Sequence, residues 1–241
     1  MDFAGNLFKT FGRGLGNVLF PRVCICCGME VTEQQKQICT FCLMERFQDA
    51  NPGNSMQSAV EFLPEGVLGQ HALWQFDKGG KLQDLIHQLK YDRLTQVGIQ
   101  LGARLGSRIQ KHPQLLSLIE EYRENCVMVP VPLHYWKFMR RGFNQAFKVA
   151  QGVEQRLDIP ICGIKDVIRQ KNTRSQTGFD LEERNENMKD AFKVKKQDQF
   201  REKLVIIVDD VFTTGATTFE LSGELLEAGA AGVIILTVAQ A

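Results

Sequence analysis

No stretch of the 241-residue chain reaches the ~18 continuous apolar residues of a membrane-spanning helix, so no transmembrane segment is expected. Excess charge is missing as well. The chain has 29 Lys and Arg against 28 Asp and Glu, a formal net charge of +1, which speaks against a histone-like protein or a polyanionic tail. Neither G-x-G-x-x-G nor G-x-x-x-x-G-K-[ST] occurs, which removes the dinucleotide-binding and P-loop readings. No internal repeat is visible, and His71, His87, His112 and His134 are scattered without metal spacing and take no assigned chemistry. The N-terminal run MDFAGNLFKTFGRGLGNVLF is interrupted by Lys9 and Arg13 and diluted by four glycines. No small-residue cleavage site follows it, so a secretory signal is not expected. An odd count of seven cysteines agrees, because secreted disulfide frameworks pair theirs. A cytoplasmic location is the expectation.

What is present suffices for a packed core: 44% hydrophobic residues can offset the entropy of ordering the chain. Phe3, Leu7, Phe8, Phe11, Leu15 and Val18 fall near one helical face, for packing on the protein or for a membrane or partner surface. Residues 49–66 are rich in turn formers and read as linker. Beyond about residue 70 the pattern alternates. Strands are expected at 71–76, 126–133, 204–210 and 232–239, and helices at 81–91, 94–109, 143–157 and from about 216. Apolar runs such as LVIIV suit strands buried on both faces. The expected fold is α/β, an open, mostly parallel sheet flanked by helices, behind a small N-terminal module. The division is 1–48 for an N-terminal helix and cysteine module, 49–68 for a linker, and 69–241 for the main domain.

Five cysteines crowd between 24 and 42. Cys24 and Cys27 form one C-x-x-C knuckle, and Cys39 and Cys42 form another. Four thiolates complete a tetrahedral Zn²⁺ shell and leave no position for water, so the zinc would be structural. Gly28 fits the tight turn after the first knuckle. Cys26 could substitute in the shell, and free core cysteines or a redox pair are the bland alternative.

Residues 204–217, LVIIVDDVFTTGAT, carry the sharpest chemistry. A buried strand runs to Asp209-Asp210, a Thr-Gly loop follows, and a helix begins near Ala216. Helix starts attract phosphates through unpaired N–H groups and the dipole. Gly215 allows close backbone approach, and Thr213, Thr214 and Thr217 add hydroxyl donors. The two carboxylates could accept bonds from vicinal hydroxyls or hold Mg²⁺ through water. A plain helix-capping turn is the structural alternative.

Further motifs flank this one. Val129-Pro130-Val131-Pro132 is either a ligand-cradling loop or a rigid strand exit. Arg140 and Arg141 precede a helix and could meet pyrophosphate, a DNA backbone or solvent. Lys90 ends a helix, where a cation is stabilising in its own right. Residues 169–188, with Arg169, Gln176, Arg184 and Asn187, are polar and weakly periodic.

The 204–217 stretch resembles the phosphoribosyl pyrophosphate (PRPP) signature of type I phosphoribosyltransferases. That resemblance implies ribose contacts for Asp209 and Asp210, and a 5′-phosphate loop of Thr213, Thr214, Gly215, Ala216 and Thr217. With Lys90-Tyr91, the Val-Pro repeat, Arg141-Gly142-Phe143-Asn144-Gln145 and the Arg169–Asn187 motifs, the chain resembles the ComF/GntX-like competence family from Pro21 to Ala239. By that resemblance, Val131 and Pro132 belong to a pyrophosphate loop, and 169–188 is a loop closing over PRPP. Lys90, Arg140, Arg141, Arg169 and Arg184 become phosphate or DNA contacts. The family joins a four-cysteine zinc module to a phosphoribosyltransferase domain, with PRPP, Mg²⁺, single-stranded DNA and a competence helicase or DNA-processing proteins as implied partners.

Two functions follow: a PRPP-binding competence protein handling incoming single-stranded DNA, or an active phosphoribosyltransferase with an unidentified acceptor. The first is the expected function. A purely structural zinc adaptor is a third, disfavoured by the intact acid and Thr-Gly loop. No general acid or base can be named. Tyr135, Trp136, Phe138, Phe143 and Phe147 lie among basic residues and could stack bases, though most are expected in the core. Residues 134–203 hold 16 Lys and Arg against 10 Asp and Glu, a local +6 against −5 elsewhere. The neutral total therefore conceals a basic segment.

Overall fold

A computed structural model describes residues 22–32, 37–50, 63–91, 94–171 and 188–241. The expected helix at 3–19, most of the linker, Gln176, Arg184 and Asn187 lie outside the described residues. The chain forms two compact units, Met1–Arg46 and Phe47–Ala241.

In the first unit, an isolated antiparallel bridge between Val23 and Glu30 brackets the first cysteine pair. Gly28 turns there at φ 74°, in the left-handed region that glycine enters without strain, and its N–H bonds the Cys24 carbonyl at 2.8 Å. A single-turn helix, α1 (Thr40–Met44), starts at Cys39, whose side chain accepts from the Cys42 N–H.

The second unit is built on four parallel strands: β1 (Val67–Gln75), β2 (Cys126–Pro130), β5 (Leu204–Phe212) and β6 (Gly232–Gln240). Their spatial order is β1-β6-β5-β2. Leu204 to Val208 and Val233 to Leu236 are completely buried, as strands covered on both faces must be. One face packs on α7 (Ala216–Glu227), with Val205, Ile207, Val233 and Ile235 meeting Leu221 and Leu225. The remaining helices are α2 (Lys81–Tyr91), α3 (Thr95–Ile109), α4 (Pro113–Glu121), α5 (Tyr135–Arg141) and α6 (Gln145–Leu157). A two-stranded antiparallel ribbon, β3 (Val167–Arg169) with β4 (Phe192–Val194), completes the unit.

Helices α3 and α6 approach backbone to backbone, through glycine. A Cβ on Gly102 would lie 1.8 Å from the Val149 carbonyl oxygen, and one on Gly152 would lie 2.1 Å from that of Ile99. No other residue type fits there without separating the helices.

The strand order places the site. After β2 the chain runs through α5 and α6 to Ile161, which bridges back to Met128 in parallel. That crossover departs from β2 on the side away from β5. After β5, α7 leads to β6 on the opposite side. Adjacent strands whose crossovers leave in opposite directions open a crevice at their carboxyl ends, here between Pro130 and Asp209.

The structure differs from the sequence reading at several edges. β1 begins at Val67 rather than 71. Residues 48–50, assigned to the cysteine module and linker, lie along β1, with Gln48 and Ala50 exchanging backbone bonds with Gln75 and Leu73. β5 runs to Phe212, two residues past the acids at which the strand was expected to end. Among the described residues, no helix is long and apolar enough to cross a membrane.

Candidate functional site

In the N-terminal unit, Cys24, Cys27, Cys39 and Cys42 bring their sulfurs within 4.8 Å of one another. Four sulfurs ~2.3 Å from one ion, at tetrahedral corners, stand roughly 3.8 Å apart. Cys27 Sγ and Cys39 Sγ are 3.7 Å apart. The Cys39 N–H donates to Cys24 Sγ and the Cys42 N–H to Cys39 Sγ. Burial raises the Cys24 thiol, but the backbone N–H groups around it outweigh that and draw it down to about 6. With one thiolate formed, burial and neighbouring sulfurs hold Cys42 well above its ordinary value. A divalent cation is what lets four such thiolates coexist. These residues could hold a metal ion, and the donor set is that of a structural site. Cys26 is not in the cluster, and burial pushes it up to about 12.

In the second unit, a cleft of about 700 Å³ opens at the carboxyl ends of β2 and β5. Side chains alternate along a strand, so Asp209 and Asp210 leave β5 on opposite faces. Asp210 turns toward α2, where Lys90 Nζ meets its Oδ2 at 2.8 Å. Asp209 shares its face with Thr237, its register partner on β6, and it accepts the Asp210 N–H at 2.8 Å. Burial, and then the Asp210 charge, push Asp209 up to about 7, against the pull of Lys90 and Arg169. Burial would lower Lys90, but Asp210 and then Asp209 hold it above its usual value.

Cations crowd the rest of the cleft. Lys137 and Arg141, one turn apart on α5, both line it, as does Arg169 at the end of β3. Burial brings Lys137 down to about 8, helped by Arg169, Arg141, Arg140 and Lys90. Arg169 is lowered by burial and by Arg141, with Asp209 opposing. Its guanidinium stacks on Phe192, 5.4 Å from the ring centroid. Such a concentration of like charge favours a polyanionic ligand.

The cleft floor is backbone. Gly215 caps α7 at φ 79° with no side-chain cap bond, and a Cβ there would strike the Phe219 ring at 2.3 Å. Thr218 Oγ1 donates to the Gly215 carbonyl at 3.1 Å, tightening the turn. Gly215, Thr217 and Thr218 at the start of α7 thus line the cleft. Across the crevice, Asn144 caps α6 and also donates to the Val131 carbonyl at 3.0 Å. It ties the Val-Pro loop to that helix.

Of the residues expected from sequence, Lys90, Val131, Arg141, Arg169, Asp209, Asp210, Thr213, Gly215 and Thr217 line one cleft. Pro132, Arg140, Thr214 and Ala216 are next to it in sequence but not in its lining, and Arg184 lies outside the described residues. Lys137 lines it without having been singled out, and Asn144 and Gln145, part of the motif that carries the resemblance but given no role of their own, line it too. Lys137 stands one helical turn before Arg141, and Asn before an apolar-periodic run is a cap signal. His87 also lines the cleft mouth, whereas His71 and His112 are buried against each other in an edge-to-face pair. The aromatics depart from expectation. Phe143 is buried, but Tyr135, Trp136 and Phe138 are exposed at 60%, 66% and 44%. They sit on a helix with no buried residue.

No protein-family model matches the chain. Among curated proteins, it is 30% identical over 226 residues to DNA utilization protein YhgH of Escherichia coli strain K12, covering 88% of this chain and 94% of that protein. It is 26% identical over 231 residues to Competence protein F of Haemophilus influenzae, covering 94% of each. The YhgH protein of Salmonella typhimurium is 29% identical over 221 residues, with 88% and 94% covered.

Proposed function

Because this chain belongs to the ComF family of competence and DNA-utilization proteins, we propose that it is a cytoplasmic factor in DNA uptake and use. In this reading its second unit is a phosphoribosyltransferase-like domain that binds PRPP with Mg²⁺, and it handles single-stranded DNA. One observation carries the ligand reading: an acid pair, an uncapped helix start and five Lys and Arg side chains meet in one cleft at a strand-order switch. Each part suits a different portion of PRPP. Asp209 and Asp210 accept from ribose hydroxyls and share Mg²⁺ with the ligand's oxygens. The amides and hydroxyls from Thr213 to Thr217 receive the 5′-phosphate, while Lys90, Lys137, Arg141 and Arg169 balance pyrophosphate. The four-cysteine cluster holds structural Zn²⁺.

Titration calorimetry tests this. PRPP with Mg²⁺ gives saturable heat, and Asp210→Asn removes it. Absence of both heat and thermal shift in the wild-type chain refutes the PRPP reading. Active transfer is a second reading, favoured by the cations gathered where a leaving pyrophosphate would develop charge. Pyrophosphate release in the presence of candidate acceptors decides it.

A further inference from the structure

Helix α5 has two unlike sides. Lys137 and Arg141 face the cleft, one turn apart. The other faces hold Tyr135, Trp136, Phe138 and Met139, between 44% and 66% exposed, and Arg140, also exposed. Short helices in a folded protein normally bury an apolar face, and α5 buries none. Four large apolar side chains standing in water on a two-turn helix mark an interaction surface. The Tyr135 and Trp136 rings lie edge to face, centroids 5.6 Å apart.

The charge decides the partner. Position 140 lies one turn beyond 136 on the same helix, a spacing that sets Arg140 and Trp136 on neighbouring parts of its surface, and the segment from 134 to 203 is +6 overall. Aromatic faces interleaved with guanidinium and ammonium groups match a chain that offers flat bases and phosphates by turns. We propose that the outer side of α5 is a stacking platform for single-stranded DNA, with Trp136 as its principal face and Arg140 on the phosphate backbone. This rests on the DNA-handling reading above and gives it an address outside the cleft.

Composition provides a selective probe. The chain has two tryptophans, and Trp74 is only 4% exposed, so a quencher that stacks on the protein reaches Trp136 alone. Oligo-dT should quench the emission, Trp136→Ala should weaken binding by about 5- to 150-fold, and Trp136→Phe should retain most of it. Arg140→Ala should flatten the salt dependence by about one phosphate contact. PRPP heat, measured on the same Trp136→Ala protein, should be unchanged and serves as the fold control.

Undiminished oligo-dT binding by Trp136→Ala overturns the address while leaving DNA binding standing. Absence of any oligo-dT binding in the wild type removes the DNA reading itself, whatever PRPP does. Equal affinity for duplex overturns base stacking. A blue shift with phosphatidylglycerol vesicles but no response to oligo-dT assigns the patch to a membrane surface. Self-association abolished by Trp136→Ala, again without DNA binding, assigns it to a second copy.

Discussion

Replacing Asp209 by Asn should make the ligand-free protein more stable at alkaline pH, by an amount set by the carboxyl's burial. In the native state Asp209 titrates near 7, against an ordinary 3.8. A raised native pKa means that folding takes up a proton. The resulting stabilisation is complete below pH 3.8 and is lost as pH climbs through 7. Between pH 5.5 and 8 the loss is about 2 kcal/mol. His71 works in the other sense. Its native pKa is about 4 against 6.5, so burying it neutral costs about 1.4 kcal/mol at pH 5.5 and almost nothing at pH 8. The raw pH profile of the wild type is therefore shallow, and the informative quantity is the difference between Asp209→Asn and wild type. That difference should shift by about 2 kcal/mol in favour of the variant from pH 5.5 to 8. In a domain of this size it amounts to roughly 4–8 °C of melting temperature. Thermal denaturation of the metal-replete full chain, without PRPP or Mg²⁺, measures it. A difference that does not change with pH, or that moves against the variant, refutes the account of a carboxyl held protonated by burial and by its neighbour.

The N-terminal unit should carry one equivalent of zinc by elemental analysis. Cys24→Ser or Cys42→Ser should remove it, whereas Cys26→Ser, outside the cluster, should not. The glycine-lined helix contact should tolerate no methyl. Gly152→Ala, whose Cβ would lie 2.1 Å from a carbonyl oxygen, should cost about 1–3 kcal/mol in chemical denaturation. Gly223→Ala, with open space around its Cβ, should be neutral or stabilising by up to about 1 kcal/mol.

The parts legible in the sequence were those written in local pattern. LVIIV and VIIL read as buried strands because both faces of a central parallel strand are covered. The cysteine knuckles read directly because ligand spacing is a local property. The start of β1 was not legible: Gly69 and Gln70 break its apolar run, and only pairing with β6 shows the strand to begin at Val67. The β3–β4 ribbon has three-residue strands, too short for any period to register. Exposure was the larger gap. An aromatic-rich segment reads as core by composition, and nothing local in YWKFMRR says that the helix leaves its apolar side chains largely exposed. Lys137 was missed, and Asn144 was read as a motif residue without a role, because a single polar residue on a helix becomes meaningful only when another chain segment arrives opposite it.

The alternation of a β-strand explains why two adjacent acids can organise so much of the cleft. Had Asp209 and Asp210 shared a face, both would look toward one layer of helices. Consecutive positions instead send Asp210 to the α2 layer, where Lys90 meets it, and Asp209 toward the β3–β4 side, within the field of Arg169. Lys90 pulls on both acids, and Arg169 adds to its pull on Asp209 from the other layer. The two layers come within reach of one ligand only at the carboxyl end of β5, where the crossovers diverge. The same alternation makes the acids unequal. Asp210 has an ion-pair partner at 2.8 Å, while Asp209 receives a backbone N–H and more distant charges, and burial governs it. A ligand that brings hydroxyl donors or Mg²⁺ to that position relieves this half-buried carboxylate. Its binding should thus release a proton near neutral pH, which calorimetry in buffers of different ionisation heat would detect as a buffer-dependent enthalpy.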